Sequence, residues 1–280
     1  MRFTSAATFS LVLLSSSWLF AQQRPLVTED PETVGPGVIL VEGGIDYQRD
    51  ISYPLSGLRG NLWRLPILGV SFGLSSIAEL QIDGGFYNRL LVKSRVPAPR
   101  SNQVELEGDH TTDVEDMVIA TKLRLVPEAP GRPAFALRLA TRLPNASHES
   151  GLGLDTTDFF VSGLIGKTAQ SIRVVGNVGV GVLTKPTRED GQDEVITYGL
   201  SMARAVRQGV EVVGEINGYW NPVEERAVAT ESRSNLRLGG RVTKGTVRVD
   251  GGLIIGLTSR DPSIGFAAGV TYVFRGFRVP

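Results

Sequence analysis

From Gly37 to Phe274 the sequence is a succession of runs with period-two alternation, each bounded by turn-forming residues. In Thr246 to Leu257, Val247, Val249, Gly251, Leu253, Ile255 and Leu257 share one face, and Arg248, Asp250 and Gly252 share the other. In Val210 to Trp220, Val210, Val212, Ile216 and Trp220 oppose Glu211, Glu215 and Asn217. Leu80, Ile82 and Phe86 likewise oppose Glu79, Gln81 and Asp83, and Phe135, Leu137, Leu139 and Leu143 oppose Arg138 and Arg142. Such a chain has two faces along every strand and must put them in different environments.

The connections decide between a half-buried soluble sheet and a barrel. The pattern predicts 12 strands, near 37–47, 62–74, 78–88, 114–126, 134–143, 158–167, 171–183, 193–204, 210–220, 234–243, 246–257 and 263–274. Counts of 10 or 14 also fit. Short connections (around Ser75-Ser76, then 127–133, 168–170, 206–209 and 243–245) alternate with longer ones (48–61, 89–113, 144–157, 184–192, 221–233 and 258–262). A sandwich has no reason to sort its loops by length. An even number of antiparallel strands with alternating long and short connections is the plan of an outer-membrane barrel, with short turns on the periplasmic side. The expected fold is therefore all-β: an antiparallel transmembrane β-barrel of about 12 strands.

The first residues support export. "MRFTSAATFSLVLLSSSWLFA" has a positive start at Arg2, a short apolar stretch interrupted by serines, and the small residue Ala21 at a cleavage position. Residues 1–21 are read as a signal peptide, 22–36 as a periplasmic N-terminal segment, 37–274 as the barrel and 275–280 as a C-terminal tail. The expected location is the outer membrane of a Gram-negative (diderm) bacterium. No later segment is apolar for long enough to cross a membrane as a helix. The 29 basic and 29 acidic side chains balance, which argues against a nucleic-acid partner. Without cysteine, and with only His110 and His148, thiolate chemistry is excluded and no metal or cofactor is expected.

The alternation sends charges inward. The expected lumen-lining set is Glu42, Asp46, Glu79, Asp83, Lys122, Arg124, Arg138, Arg142, Arg173, Glu211, Glu215, Arg237, Arg241, Arg248 and Asp250. Both signs are present, so cross-strand pairing in a polar interior is expected. The outward rows almost avoid charge, as they must where Arg or Lys at the bilayer midplane costs about 2–4 kcal/mol. Tyr47, Phe72, Phe86, Phe135, Tyr198, Trp220, Phe266, Tyr272 and Phe274 supply aromatics for the interfacial girdles.

The stretch "RPLVTEDPETVGPGVILVEGG" (24–44) resembles the start of a bacterial family labelled meta-pathway phenol-degradation proteins. The likeness continues in "DVEDMVIATKLRL" (113–125), in "LRLATRLPN" (137–145) leading into "GLGLDTTDF" (151–159), and in "GLTSRDPSIGFAAGVTYVF" (256–274). The resemblance implies an outer-membrane barrel that transports small compounds, aromatic or hydrophobic ones among them. It supplies no catalytic residues.

Chemistry is arguable in one loop. "HES" at 148–150 is similar in letters to the His-x-Ser pair of outer-membrane lipid hydrolases of the phospholipase A and lipid A deacylase types. In those enzymes the pair stands on the lipid-facing side of one strand. Here His148 and Ser150 fall after Pro144, among Asn145, Gly151 and Gly153, which reads as loop, so no catalytic residue is assigned. Glu189, Asp190, Asp193 and Glu194 form an acidic cluster whose spacing fails a calcium-loop template, and it reads as a solvated loop. Loop 89–113, with Lys93, Arg95, Arg100, Glu105, Glu107, Asp109 and His110, can be drawn either as a constriction inside the lumen or as an external loop.

The function expected is a passive channel or transporter for small molecules, with selectivity set by opposed rows such as Glu79/Asp83 and Arg138/Arg142. The alternatives are a closed structural or surface-interaction barrel working through its outer loops, and a lipid hydrolase using His148 and Ser150. The expected partners are outer-membrane lipid, a small-molecule solute and, during biogenesis, the barrel-assembly machinery.

Overall fold

The alternating runs form one antiparallel sheet that closes on itself. The computed structural model describes residues 24–106, 108–187 and 191–279, so the expected signal peptide and Glu107, Glu189 and Asp190 lie outside the described residues. In chain order the strands are β1 (Val38–Tyr53), β2 (Leu58–Gly73), β3 (Ala78–Gly85), β4 (Asn88–Arg95), β5 (His110–Asp113), β6 (Val118–Val126) and β7 (Ala134–Arg142). They continue as β8 (Asp158–Ala169), β9 (Ile172–Thr184), β10 (Gln192–Arg207), β11 (Val210–Trp220), β12 (Arg233–Lys244), β13 (Val247–Gly256) and β14 (Ile264–Arg275).

These 14 segments make a ring of 12 staves. β3 and β4 pair with successive halves of β2 and form one stave; β5 and β6 form another in the same way. β1 pairs with both β2 and β14, which closes the ring. All twelve expected runs are present as staves.

The two interruptions have a local cause. Leu65 and Pro66 together face the single residue Ile45, so β2 carries a bulge where its proline, which has no N–H to donate, can be accommodated. At the same height Phe86 and Tyr87 separate β3 from β4, and residues 114–117 separate β5 from β6. The ladder is bridged there by bonds from Leu65 N to Tyr87 O (2.8 Å) and from Phe86 N to Pro66 O (3.1 Å).

Two expected loops are shorter than drawn. β1 and β2 extend to Tyr53 and from Leu58, so the connection is only 54–57 rather than 48–61. The second loop is 96–109 rather than 89–113. Alternation fails as a guide here because these strand ends leave the ring's apolar belt: Ile51, Leu58, Leu62, Leu90 and Val104 make a separate buried cluster above it. Loop 96–109 thus folds back over the outer hairpin, anchored by Val104.

The outward rows are exposed and apolar, including Leu139, Val161, Val178, Leu200, Ile216, Leu253 and Val270. A continuous apolar belt of this kind is a lipid-facing surface, since a protein in water does not expose one of that extent. Tyr47, Trp63 and Phe266 cluster with ring centroids 4.8 to 5.8 Å apart near one rim, and Tyr272 stacks on Phe274 at 5.3 Å near the other. Val178 lies in the middle of β9, opposite Tyr198 and Gly163. Val178→Arg should lower unfolding stability in lipid by about 2–4 kcal/mol, measured by urea titration with the heat-modifiable gel shift reporting the folded barrel.

Candidate functional site

A ring of 12 staves is wider than the eight-stranded barrels that side chains alone can fill. The space is taken up by the chain's own N-terminus. Residues 24–36, expected to hang in the periplasm, instead run inside the ring, and the physical reason is complementary charge. From Glu32 back to Arg24 the segment meets one inner-wall partner after another.

Glu32 pairs with Arg124, and Val34 N donates to Glu79 Oε2 at 2.8 Å. Asp30 accepts from Arg173 Nη2 at 2.6 Å, while the same guanidinium donates through Nη1 to Glu128 at 2.8 Å. Glu29 lies 3.6 Å from Lys122 Nζ and 3.3 Å from Arg138 Nε, and Asn177 bonds both its backbone N–H (2.7 Å) and its carbonyl (2.8 Å). Glu215 accepts from the N–H groups of Val27 and Thr28, both at 2.8 Å. Leu26 is buried against Ala203 and Val213. Arg24 reaches the far side, donating to Ala268 O at 3.0 Å and lying 3.6 Å from Asp250.

Where the segment meets the wall, glycine supplies the room. A Cβ at Gly199 would sit 2.9 Å from Thr28 Oγ1, and one at Gly166 would sit 2.8 Å from Pro31 Cγ.

The other charged residues anticipated for the lumen pair across strands. Lys122 and Glu79, both fully buried, are 3.2 Å apart. Arg241 Nε donates to Glu211 at 2.7 Å, and Arg248 stands 3.7 Å from the same carboxylate. Arg237 Nε is 3.7 Å from Glu215. Thr271 Oγ1 donates to Glu42 at 3.1 Å, Arg64 Nη1 to Asp46 at 3.2 Å, and Arg142 bonds Asp158. Asp83 is half-buried on β3 in the field of Arg138. The Glu79 and Arg138 rows therefore do not confront each other across open space. Lys122 and Glu29 stand between them.

Cavities remain along the axis among the described residues. The outermost, about 500 Å³, lies under the long loops and reaches Tyr219. A second, about 250 Å³, also touches Tyr219 and is floored by Val27, Thr28 and Glu29. A third, about 20 Å³, lies beyond Thr28, against Asp30, Arg173 and Arg241. Thr28 borders both of the inner two.

The loop with the His-x-Ser letters is not arranged as a nucleophile and base. His148 Nδ1 bonds Asp155, but the Ser150 hydroxyl donates to Ser147 O at 2.7 Å and accepts from Leu152 N at 3.1 Å. Its backbone carbonyl accepts from Thr111 Oγ1 at 2.8 Å. Arg100 lies 3.5 Å from Asp155, and Glu105 N donates to Glu149 O at 2.8 Å, so this loop and loop 96–109 are clasped together over the mouth. The expected solvated acidic loop is not borne out at Asp193 and Glu194, which lie in β10; Asp193 is buried and holds Lys185 at 2.9 Å and Thr230 Oγ1 at 2.6 Å.

A closed ring of 12 antiparallel staves with an apolar exterior and a charged, occupied interior is the fold of an outer-membrane β-barrel. Neither a family model nor a curated sequence matches the chain. Among solved structures it is similar to the COG4313 outer membrane channel from Pseudomonas putida F1, at 14% identity and TM-score 0.60, over 88% of this chain and 98% of that one. Weaker likenesses are the translocator domain of the autotransporter NalP from Neisseria meningitidis (11%, TM-score 0.45, covering 86% and 89%) and LpxR from Salmonella typhimurium (8%, TM-score 0.44, covering 85% and 100%).

The segment's attachment is testable. Glu215→Ala leaves the Val27 and Thr28 N–H groups without their acceptor, at roughly 1–3 kcal/mol for each buried donor left unpaired. Limited proteinase K digestion of folded protein should then cut within residues 26–30 faster than in the wild type. Acid should act similarly at the short-turn end. Burial opposes ionisation of Glu128, but the Thr168 N–H and then Arg173 outweigh it and hold this carboxyl below the usual range. A depressed carboxylate stabilises above its unfolded pKa, and that contribution fades as pH falls below about 4. Cleavage of the segment by an acid-active protease should therefore accelerate in that window.

Proposed function

We propose that this protein is an outer-membrane channel for small molecules, its lumen narrowed by its own N-terminal segment. The observation that carries this reading is the stack of cavities inside a closed ring, with Thr28 alone bordering both inner spaces. The fifteen inward charges define the wall, and their ion pairs keep it polar without filling it. The likeness in fold to the Pseudomonas putida channel is compatible with the proposal, as is the resemblance to the phenol meta-pathway family, which favours aromatic or hydrophobic solutes.

Solute passes along the β8–β11 side, from the outer cavity past Tyr219 and then past Thr28. The segment is held mainly by hydrogen bonds and ion pairs, with small apolar contacts at Leu26 and Val34, so it can shift without exposing a large apolar surface. The role is transport rather than catalysis, since Ser150 is committed to its own loop.

Planar-bilayer recording tests this. The wild type should give small, discrete conductance steps, and Thr28→Gly or the pair Arg173→Ala/Glu215→Ala should enlarge them. Silence from folded protein of all three kinds would favour a closed barrel acting through its outer loops.

A further inference from the structure

The outer cavity has a chemical polarity that a plain vestibule does not need. One side is apolar: Phe160 on β8, Leu183 on β9, and Leu152 and Leu154 of the overlying loop. Its charged residues lie on two walls. Glu115 and Asp116 sit at the break between β5 and β6, and both are occupied. Glu115 bonds Arg64, and Asp116 accepts from Ala146 N at 2.9 Å.

Arg233 begins β12, six staves round the ring from that break and so on the opposite wall. Its guanidinium donates to Arg260 O at 3.1 Å, it lines the cavity together with Tyr219, and among the described residues no carboxylate lies within ion-pair distance of it. Glu231, two residues earlier, is taken by Arg260 at 3.1 Å. Arg142, which also lines the cavity and acts electrostatically on Tyr219, has a buried Nε with no hydrogen-bond partner among the described residues. An uncompensated guanidinium is costly to leave beside a partly enclosed cavity, and a ligand anion at Arg233 would relieve it, with Arg142 adding positive charge to the same cavity.

We propose that the outer cavity is a binding site for a small organic monocarboxylate, with its carboxylate at Arg233 and Tyr219, beside Arg142, and its aromatic or aliphatic body against Phe160, Leu183 and Leu152. The volume of about 500 Å³ falls within the range of small-molecule sites. Arginine suits the task because its planar fork matches a carboxylate in two hydrogen bonds. The assignment names the solute class for the channel reading and rests on that reading only for how the ligand arrives. Binding is measured separately.

The experiment is calorimetric titration of the folded full-length mature protein in amphipol, so that no free detergent competes. The probes are 3-phenylpropionate and its neutral and cationic counterparts, 3-phenylpropan-1-ol and 3-phenylpropylamine. The acid should bind saturably, about tenfold or more tighter than the alcohol, and the amine weakest of the three. Arg233→Gln should remove the preference for acid, and Arg233→Lys should keep part of it, with both proteins retaining the heat-modifiable gel shift. Equal binding of the three wild-type probes, or no binding of the acid, would overturn the site whatever the variants do. Acid preference without conductance would leave the site standing and remove the channel. Conductance without acid preference would do the reverse.

Discussion

The structure depends on the pairing of an acidic N-terminal segment with a basic inner wall. Glu29, Asp30 and Glu32 enter a ring whose facing side chains are Lys122, Arg124, Arg138 and Arg173, and none of these groups would be tolerable there alone. Removing one member of a buried ion pair costs several kcal/mol, because the other is left charged and uncompensated. The wall and the segment therefore each require the other. The wall's glycines are part of the same fit: at Gly199 and Gly166 a side chain would collide with the segment.

This arrangement reconciles two demands. The outer surface must be apolar and continuous, which requires closure so that no backbone group faces lipid unbonded. Closure with 12 staves then encloses more volume than the inward side chains can fill. Polar residues with mutual partners, and a polypeptide segment carrying its own hydrogen-bonding groups, occupy that volume while leaving a staggered series of spaces along the axis. At the outer end the extended β1–β2 hairpin, loop 96–109 and loop 144–157 share a small apolar cluster, which roofs the largest of those spaces.

Much of the barrel was legible from letters alone, for a physical reason. A strand between lipid and a polar interior must alternate, so the staves β7 to β14 are found almost to the residue. Alternation failed where the two-environment rule stops. Ile51, Leu58 and Leu90 lie beyond the apolar belt and pack against each other, so the outer ends of β1, β2 and β4 carry no barrel pattern in the sequence. The bulge at Pro66 hides in the same way, since a single extra residue shifts the pattern without erasing it. In the candidate site, the inward charges were readable by type but not by partner. Glu79 and Arg138 looked like facing rows, and Lys122 and Glu29 turned out to bridge them. The place of residues 24–36 is not legible from alternation, although "TEDPET" carries a signal: acids concentrated just before a barrel whose inward rows are rich in arginine.

The sequence by itself determined the fold class, a strand number of about 12 and which face of each stave is apolar, because these follow from a period of two and the rule that lipid excludes charge; the closed ring fixed the count at 12. Only the tertiary structure decided what fills the ring. Arg24 and Asp250 are far apart in the chain, and Glu215 meets Thr28 only once the sheet has closed. Local pattern cannot encode such contacts, because they depend on which side chains from different staves reach the same height. Arg233 in the outer cavity, which has no carboxylate partner among the described residues, has the same origin: it becomes distinctive only after the neighbouring carboxylates have been used elsewhere.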